Sequence, residues 1–279
     1  MAFYNLLFDA DNTLFDFSKA ADRAFSILCN LHEIPNTPSV RAQYESINHS
    51  LWDAFDRGEI SKEFLTRERF VRFLSKLGHS GDPDLCNRDY LAGLGSCVYP
   101  MPHAEEVCRN LSRSHRLYLV TNAVASVQRS RLNGSSFAPY ITEAFISEEA
   151  GAAKPDPAYF QYVLSRIPDA CPENCLVIGD SPATDILGAN RAGLSCCWYN
   201  PQRLPRPEHL RIDWEIHDLT EPGAAALYRR GADPRGVGKT VVRTWRGGDF
   251  AGVCGCDRCL FAGDPADRRT GSAESTSLL

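Results

Sequence analysis

The stretch Phe3-Tyr4-Asn5-Leu6-Leu7-Phe8 runs directly into Asp9-Ala10-Asp11-Asn12-Thr13. Six mostly apolar residues bounded by a turn-like cluster read as a buried strand. Two acids at the end of such a strand are costly unless they have a task. Open α/β sheets place their ligands beyond the C-terminal ends of the strands, which is where Asp9 and Asp11 project. Carboxylates one residue apart can converge on a hard cation such as Mg²⁺. One is then free to attack phosphorus and the other to shuttle a proton.

Downstream of this strand the pattern changes twice. Residues 18–97 carry helical periodicity and no convincing strand: Tyr44, Ile47, Leu51, Trp52 and Phe55 fall on or near one face, as do Phe64, Leu65, Phe70, Phe73, Leu74 and Leu77. Strands and helices then alternate. Strands are expected at Arg116–Val120, Ala144–Ile146, Cys175–Gly179, Ser195–Tyr199 and Asp213–Ile216. Helices are expected at Pro102–Arg113, Ala125–Leu132, Pro157–Ile167 and Ala183–Ala192, with Asp156 as an N-cap and Gly193 as a C-terminal stop. Alternation of this kind means a parallel sheet with right-handed crossovers. The expected fold is α/β: a doubly wound parallel sheet with a helical insert after its first strand.

The bulk composition excludes several classes. A hydrophobic fraction of 43% and a charged fraction of 23% are those of an ordinary globular protein. A net charge of −5 argues against a nucleic-acid polymer as partner. No apolar run has the length to span a bilayer, and the first residues lack the pattern of a secretory signal, so a cytoplasmic protein without membrane partners is expected. Cys29, Cys86, Cys97, Cys108, Cys171, Cys175, Cys196 and Cys197 are scattered without a pairing pattern and read as small core or surface residues. From 223 to 279 the chain holds ten of the 20 glycines and nine Lys/Arg against six Asp/Glu, which leaves it near +3 and the rest near −8. That stretch is read as a disordered tail. Its Cys254, Cys256 and Cys259 lack the fourth ligand that structural zinc requires, so a zinc site is not expected there.

Four clusters at expected strand ends are best weighed together. Asp9, Asp11 and Thr13 form the first. Thr121-Asn122 is the second, with a hydroxyl, a backbone N–H and an amide able to hold phosphate oxygens. Lys154, in Gly151-Ala152-Ala153-Lys154-Pro155, is the third; its ammonium can offset phosphate charge. Gly179-Asp180-Ser181-Pro182-Ala183-Thr184-Asp185 is the fourth. Each alone has an ordinary reading, as a turn, cap or solvated residue. Together they supply acids for a cation and donors for a phosphate, which phosphoryl transfer requires. The seven histidines show no ligand spacing, and His115 and His217 read as packing or surface residues.

In this order the four clusters resemble the haloacid dehalogenase (HAD) superfamily of phosphatases, over roughly residues 1–222. The resemblance implies a HAD-like core at 1–17 and 98–222 and a helical C1-type cap at 18–97. Phe8–Phe17, Leu51-Trp52 with Gly58, Ile146–Gly151 and Ser181–Ala189 are similar to the bacterial-type pyrimidine 5′-nucleotidases. By position, the resemblance implies Asp9 as nucleophile and Mg²⁺ ligand. Asp11 becomes the acid and base, its backbone carbonyl also on the metal. Thr121 and Lys154 become phosphate holders, with Asn122 assisting, and Asp180 the last metal ligand. Asp185 is expected behind them, orienting Lys154 or a metal-bound water. Ala123 stands where many relatives have Gly, which removes no catalytic group. The substrate implied is a small phosphate monoester, a pyrimidine nucleoside 5′-monophosphate before a sugar phosphate or phosphoglycolate. A dehalogenase would not need Asp11, and a non-catalytic binding protein would not need the full set. Phe17, near the hinge, is a candidate for cap closure or base contact. Trp52 is another for base contact, although aromatics at helical spacing more often belong to a core.

Overall fold

The computed structural model describes residues 3–221. The elements are β1 (Asn5–Asp9), α1 (Phe17–Leu31), α2 (Pro38–Asp56), α3 (Lys62–Leu77), α4 (Pro83–Ser96), α5 (Ala104–Leu111), β2 (Arg116–Thr121), α6 (Ala125–Asn133) and β3 (Ile141–Ile146). They continue with α7 (Ser147–Ala150), α8 (Pro157–Arg166), β4 (Cys175–Gly179), α9 (Leu187–Arg191), β5 (Ser195–Tyr199) and β6 (Trp214–Ile216).

The six strands form one sheet in the order β3-β2-β1-β4-β5-β6, every neighbouring pair parallel. The central strands β1, β2, β4 and β5 are buried over almost their whole length because both faces of the sheet are covered, whereas the edge strands β3 and β6 are partly exposed. Leu6, Phe8, Leu117, Leu119, Leu176 and Ile178 pack into one core, and Leu7, Tyr118, Val120, Val177 and Cys196 into the other. The chain leaves β1 to one side for β2 and β3 and returns to the other side for β4 to β6. The crevice where the order reverses therefore opens at the C-terminal ends of β1 and β4. Asp9 ends β1, paired with Val120 across β2, and Asp180 follows β4.

Helices α1 to α4 bury a further core, to which Val127 of α6 also contributes. The Tyr44 ring sits at its centre, with centroids 4.8 Å from Phe25, 5.6 Å from Phe70, 5.4 Å from Phe73 and 5.5 Å from Tyr90. Side-chain caps at Thr37, Ser61 and Asp82 start α2, α3 and α4, and Gly78 closes α3 at φ 64°. The chain enters and leaves this helical segment side by side: Asp16 N–H donates to Tyr99 O at 2.8 Å, and Met101 N–H to Leu14 O at 2.8 Å.

Several elements differ from expectation. β3 begins at Ile141, and α5 covers only Ala104–Leu111. The helix expected at Ala183–Ala192 is a π-helical turn over Pro182–Ile186 followed by α9. Its wide turn places Asp185 back beside β4, a use typical of such turns at functional sites. Gly193 does stop α9, at φ 70°. Trp52 lies outside the α1–α4 core. Tyr44, Asn48 and Leu51 define the buried face of α2, and Trp52 is rotated about 80° from Tyr44. It is half-buried, edge-on to Phe55 at 5.6 Å. The eight scattered cysteines are buried. Cys254, Cys256 and Cys259, and the tail that carries them, lie outside the described residues. Among the described residues no helix is long and apolar enough to cross a membrane.

Candidate active site

The four clusters meet at the crevice. Lys154 is 2% exposed, and its Nζ donates to Asp9 Oδ1 at 2.6 Å, to Asp185 Oδ1 at 2.6 Å and to Val120 O at 3.0 Å. All three protons of the ammonium are thus committed. Asp9, Asp180 and Asp185 each present a carboxylate oxygen, these atoms lying within 4.8 Å of one another. Three carboxylates so close, with one ammonium among them, can hold a hard divalent cation, although both oxygens of Asp185 are already engaged, by Lys154 and by the Ser181 N–H.

The electrostatics follow from burial. Burial pushes Asp9 up to about 7, with Asp185 adding to the rise and Lys154 opposing it. Asp180 is pushed up to about 8 by burial first and then by Asp9 and Asp185. Burial alone would lower Lys154, but Asp185 and Asp9 outweigh it and hold the ammonium well above its ordinary range.

Neighbouring backbone fixes these groups. The Asn122 side chain clamps Lys154 on both sides, donating from Nδ2 to Lys154 O at 2.8 Å and accepting from Lys154 N–H at 2.9 Å. This amide therefore anchors the lysine loop. The Thr121 N–H is taken by Tyr159 Oη at 2.9 Å, whose hydroxyl donates to Phe145 O at 2.6 Å. Of the three phosphate-holding groups expected at Thr121-Asn122, the Thr121 hydroxyl proton is the one left for a ligand, its oxygen accepting from Ala123 N–H at 3.1 Å. Asp185 Oδ2 accepts from Ser181 N–H at 3.1 Å, and Trp198 Nε1 donates to the Asp180 carbonyl at 2.8 Å.

Asp11 stands apart from this knot. Its Oδ1 accepts from Nη1 of Arg131, a fully buried residue on α6. Phe17 lies on the same side, its ring centroid 5.9 Å from the Arg131 guanidinium, with Phe15 closer at 4.4 Å. Two further charged groups approach from the α2–α3 junction. Asp56 is pushed up to about 6 by burial, against Lys154 and a hydrogen bond from Asn122. Lys62 Nζ donates to Ala123 O at 3.0 Å and Ser147 Oγ at 2.7 Å, above the Phe55 ring at 5.4 Å. Burial lowers its pKa, opposed by Glu148. Sequence reasoning missed Arg131, Asp56 and Lys62. None belongs to a short motif, and a charged residue on a helix carries no mark of the site it faces until the fold is known.

The model of the haloacid dehalogenase-like hydrolases matches residues 5–193. The HAD-hydrolase YfnB of Bacillus subtilis is 37% identical over 216 residues, 77% of this chain and 92% of the relative. A crystal structure of YfnB bound to magnesium superposes with a TM-score of 0.77, at 36% identity over 81% of this chain and 99% of that one. The pyrimidine 5′-nucleotidase PynA of Streptococcus pneumoniae is 32% identical over 217 residues, 77% of this chain and 92% of the relative. The pyrimidine 5′-nucleotidase YjjG of Escherichia coli is 28% identical over 216 residues, 77% of this chain and 94% of the relative. The chain belongs to the haloacid dehalogenase-like hydrolases, as a phosphoric monoester hydrolase.

Proposed function

We propose that this protein hydrolyses small phosphate monoesters with Mg²⁺, through a phosphoryl group carried on Asp9, and that its substrates are pyrimidine nucleoside 5′-monophosphates. The observation that carries this reading is the ion cluster in which Lys154 Nζ reaches both Asp9 and Asp185 at 2.6 Å, with Asp180 beside them. Asp9, Asp180 and the Asp11 carbonyl would hold the cation, which supplies positive charge against the phosphoryl oxygens. The magnesium in the YfnB structure supports that choice of metal for this chain, and the two pyrimidine 5′-nucleotidases among its relatives support the substrate class.

In the first step an Asp9 carboxylate oxygen attacks phosphorus. The bond from phosphorus to the ester oxygen breaks, its electron pair leaves with that oxygen, and Asp11 gives the oxygen a proton. In the second step Asp11 takes a proton from water as the water oxygen attacks phosphorus, and the bond to Asp9 breaks to release phosphate. Thr121 holds one phosphoryl oxygen and Lys154 another, the ammonium exchanging its bond to Asp9 Oδ1 for the substrate while Asp185 and Val120 O keep it in place, and Asn122 fixes the Lys154 backbone. Residues 1–17 and 98–222 act as the catalytic core and 18–97 as a cap that excludes water and selects the leaving group. Phe17 and Trp52 are the aromatic side chains assigned to the base.

The test is a panel of phosphomonoesters compared by kcat/KM, run on the wild type and on the Asp9→Asn, Phe17→Ala and Trp52→Ala variants. Pyrimidine nucleotides should lead sugar phosphates and phosphoglycolate, and Asp9→Asn should lower turnover by at least about 10³-fold while leaving the circular dichroism spectrum intact. Preference for a sugar phosphate would move the substrate class, and an active Asp9→Asn variant would exclude the covalent route. Unchanged base selectivity in Phe17→Ala and Trp52→Ala would remove those residues from the base site.

A further inference from the structure

Among the described residues, Arg131 is the most completely buried charged side chain outside the four motifs. It lies on α6, fully buried, and pairs with Asp11. Its Nη1 donates to Asp11 Oδ1 and to Gln128 Oε1 at 3.2 Å. Its Nε and Nη2 have no hydrogen-bond partner, and the guanidinium rests 4.4 Å from the centroid of Phe15 and 5.9 Å from that of Phe17. Among the described residues, Asp11 is the one carboxylate that pairs with it. Burying a guanidinium with unspent donors is unfavourable, and a plain staple between α6 and the β1 loop could be made from apolar groups at less cost. The Asp11 side chain is still 25% exposed, so the arginine holds one carboxylate oxygen while the group remains open to the crevice.

We infer that Arg131 is a positioning residue for Asp11. It fixes Oδ1 and leaves Oδ2 as the oxygen that gives a proton to the departing alkoxide and later takes one from water. The rings of Phe15 and Phe17 keep water from the guanidinium, so the pair is not exchanged for solvent. This inference rests on the phosphatase reading above and deepens it, because it assigns to a residue outside the motifs the orientation on which proton transfer depends.

The test uses the full chain with Mg²⁺ and compares the first-turnover rate on two esters. Uridine 5′-monophosphate leaves as an alkoxide that needs a proton, whereas p-nitrophenyl phosphate leaves as an anion stable without one. Arg131→Met should slow the first turnover on the alkyl ester about 100-fold, with KM moved less than about threefold, the scale of lost general-acid catalysis. The fall on the aryl ester should be smaller by at least about tenfold. Arg131→Lys, which keeps a charged donor, should recover at least about tenfold of the alkyl-ester loss. Equal falls on both esters, or a Lys variant as slow as the Met variant, would overturn the inference. If Arg131→Met does not fold, Arg131→Lys decides alone: a loss confined to the alkyl ester supports the role, and an equal loss on both esters removes it. A wild type that turns over neither ester would instead bring down the phosphatase reading itself.

Discussion

A single carbon added at Gly179 would sit 2.2 Å from Asp185 Oδ2 and 2.4 Å from its Cγ. No side chain fits there without moving the carboxylate that holds Lys154. Gly179→Ala should therefore swing Asp185 away, lowering kcat/KM at least about tenfold and destabilising the fold by about 1–3 kcal/mol, as overpacking does. Urea denaturation beside steady-state kinetics would check both; a variant with native activity would show that Asp185 is free to relocate. At this scale the sequence was legible where the chemistry is local. Asp9 and Asp11 end one strand, Asp180 and Asp185 follow another, and the crevice brings Asp9, Asp180 and Asp185 within reach of Lys154. Arg131 was not legible, because its partner is 120 positions away. An arginine on a nine-residue helix looks the same whether it faces water or Asp11. Trp52 misled in the other direction: its helical spacing suggested a core residue, but the buried face of α2 passes beside it.

Among the elements, α3 carries the clearest link between the helical segment and the crevice. Lys62, its first residue, ties the helix to Ala123 O and Ser147 Oγ. Lys62→Met keeps the length of the side chain and loses both bonds, leaving the partially buried carbonyl and hydroxyl without it. The expected outcome is a loss of about 1–3 kcal/mol in denaturant unfolding, the cost of unsatisfied buried groups. A raised KM should accompany it, since the loop after Thr121 is no longer held; unchanged stability would mean that solvent replaces the ammonium freely. The strands were the most legible elements, because continuous apolar runs between polar turns have few other uses in a chain of this composition. The turn at Pro182–Ile186 was not, since the same apolar spacing serves an α-helix and a π-helical turn. What separates them here is Asp185, whose Oδ2 accepts from the Ser181 N–H at 3.1 Å and whose Oδ1 is bound by Lys154 at 2.6 Å.

For the molecule as a whole, the crowded acids make stability depend on pH and, under the proposed function, on metal. Asp9 and Asp180 have an ordinary value of 3.8, and burial and their neighbours raise them to about 7 and about 8. Without a cation the native state therefore holds protons that the unfolded chain has already released. Their contribution to stability is full below 3.8 and is lost as the pH climbs through 7 and 8. A divalent cation held by the ionised carboxylates would offset the loss. Mg²⁺ should raise Tm more at pH 8 than at pH 6, read by thermal unfolding with and without the ion; equal gains at both would argue against a metal on these acids. The parallel sheet and its helical insert were both legible, because one break in strand-and-helix alternation separates them. The pairing of Asp16 with Tyr99 and of Leu14 with Met101 has a consequence of another kind. The two ends of an excursion some eighty residues long are stitched together at its base, so evolution or an engineer could exchange the whole lobe as a cassette. A chain of this design can acquire new substrates while the strand bearing its nucleophile keeps the same neighbours.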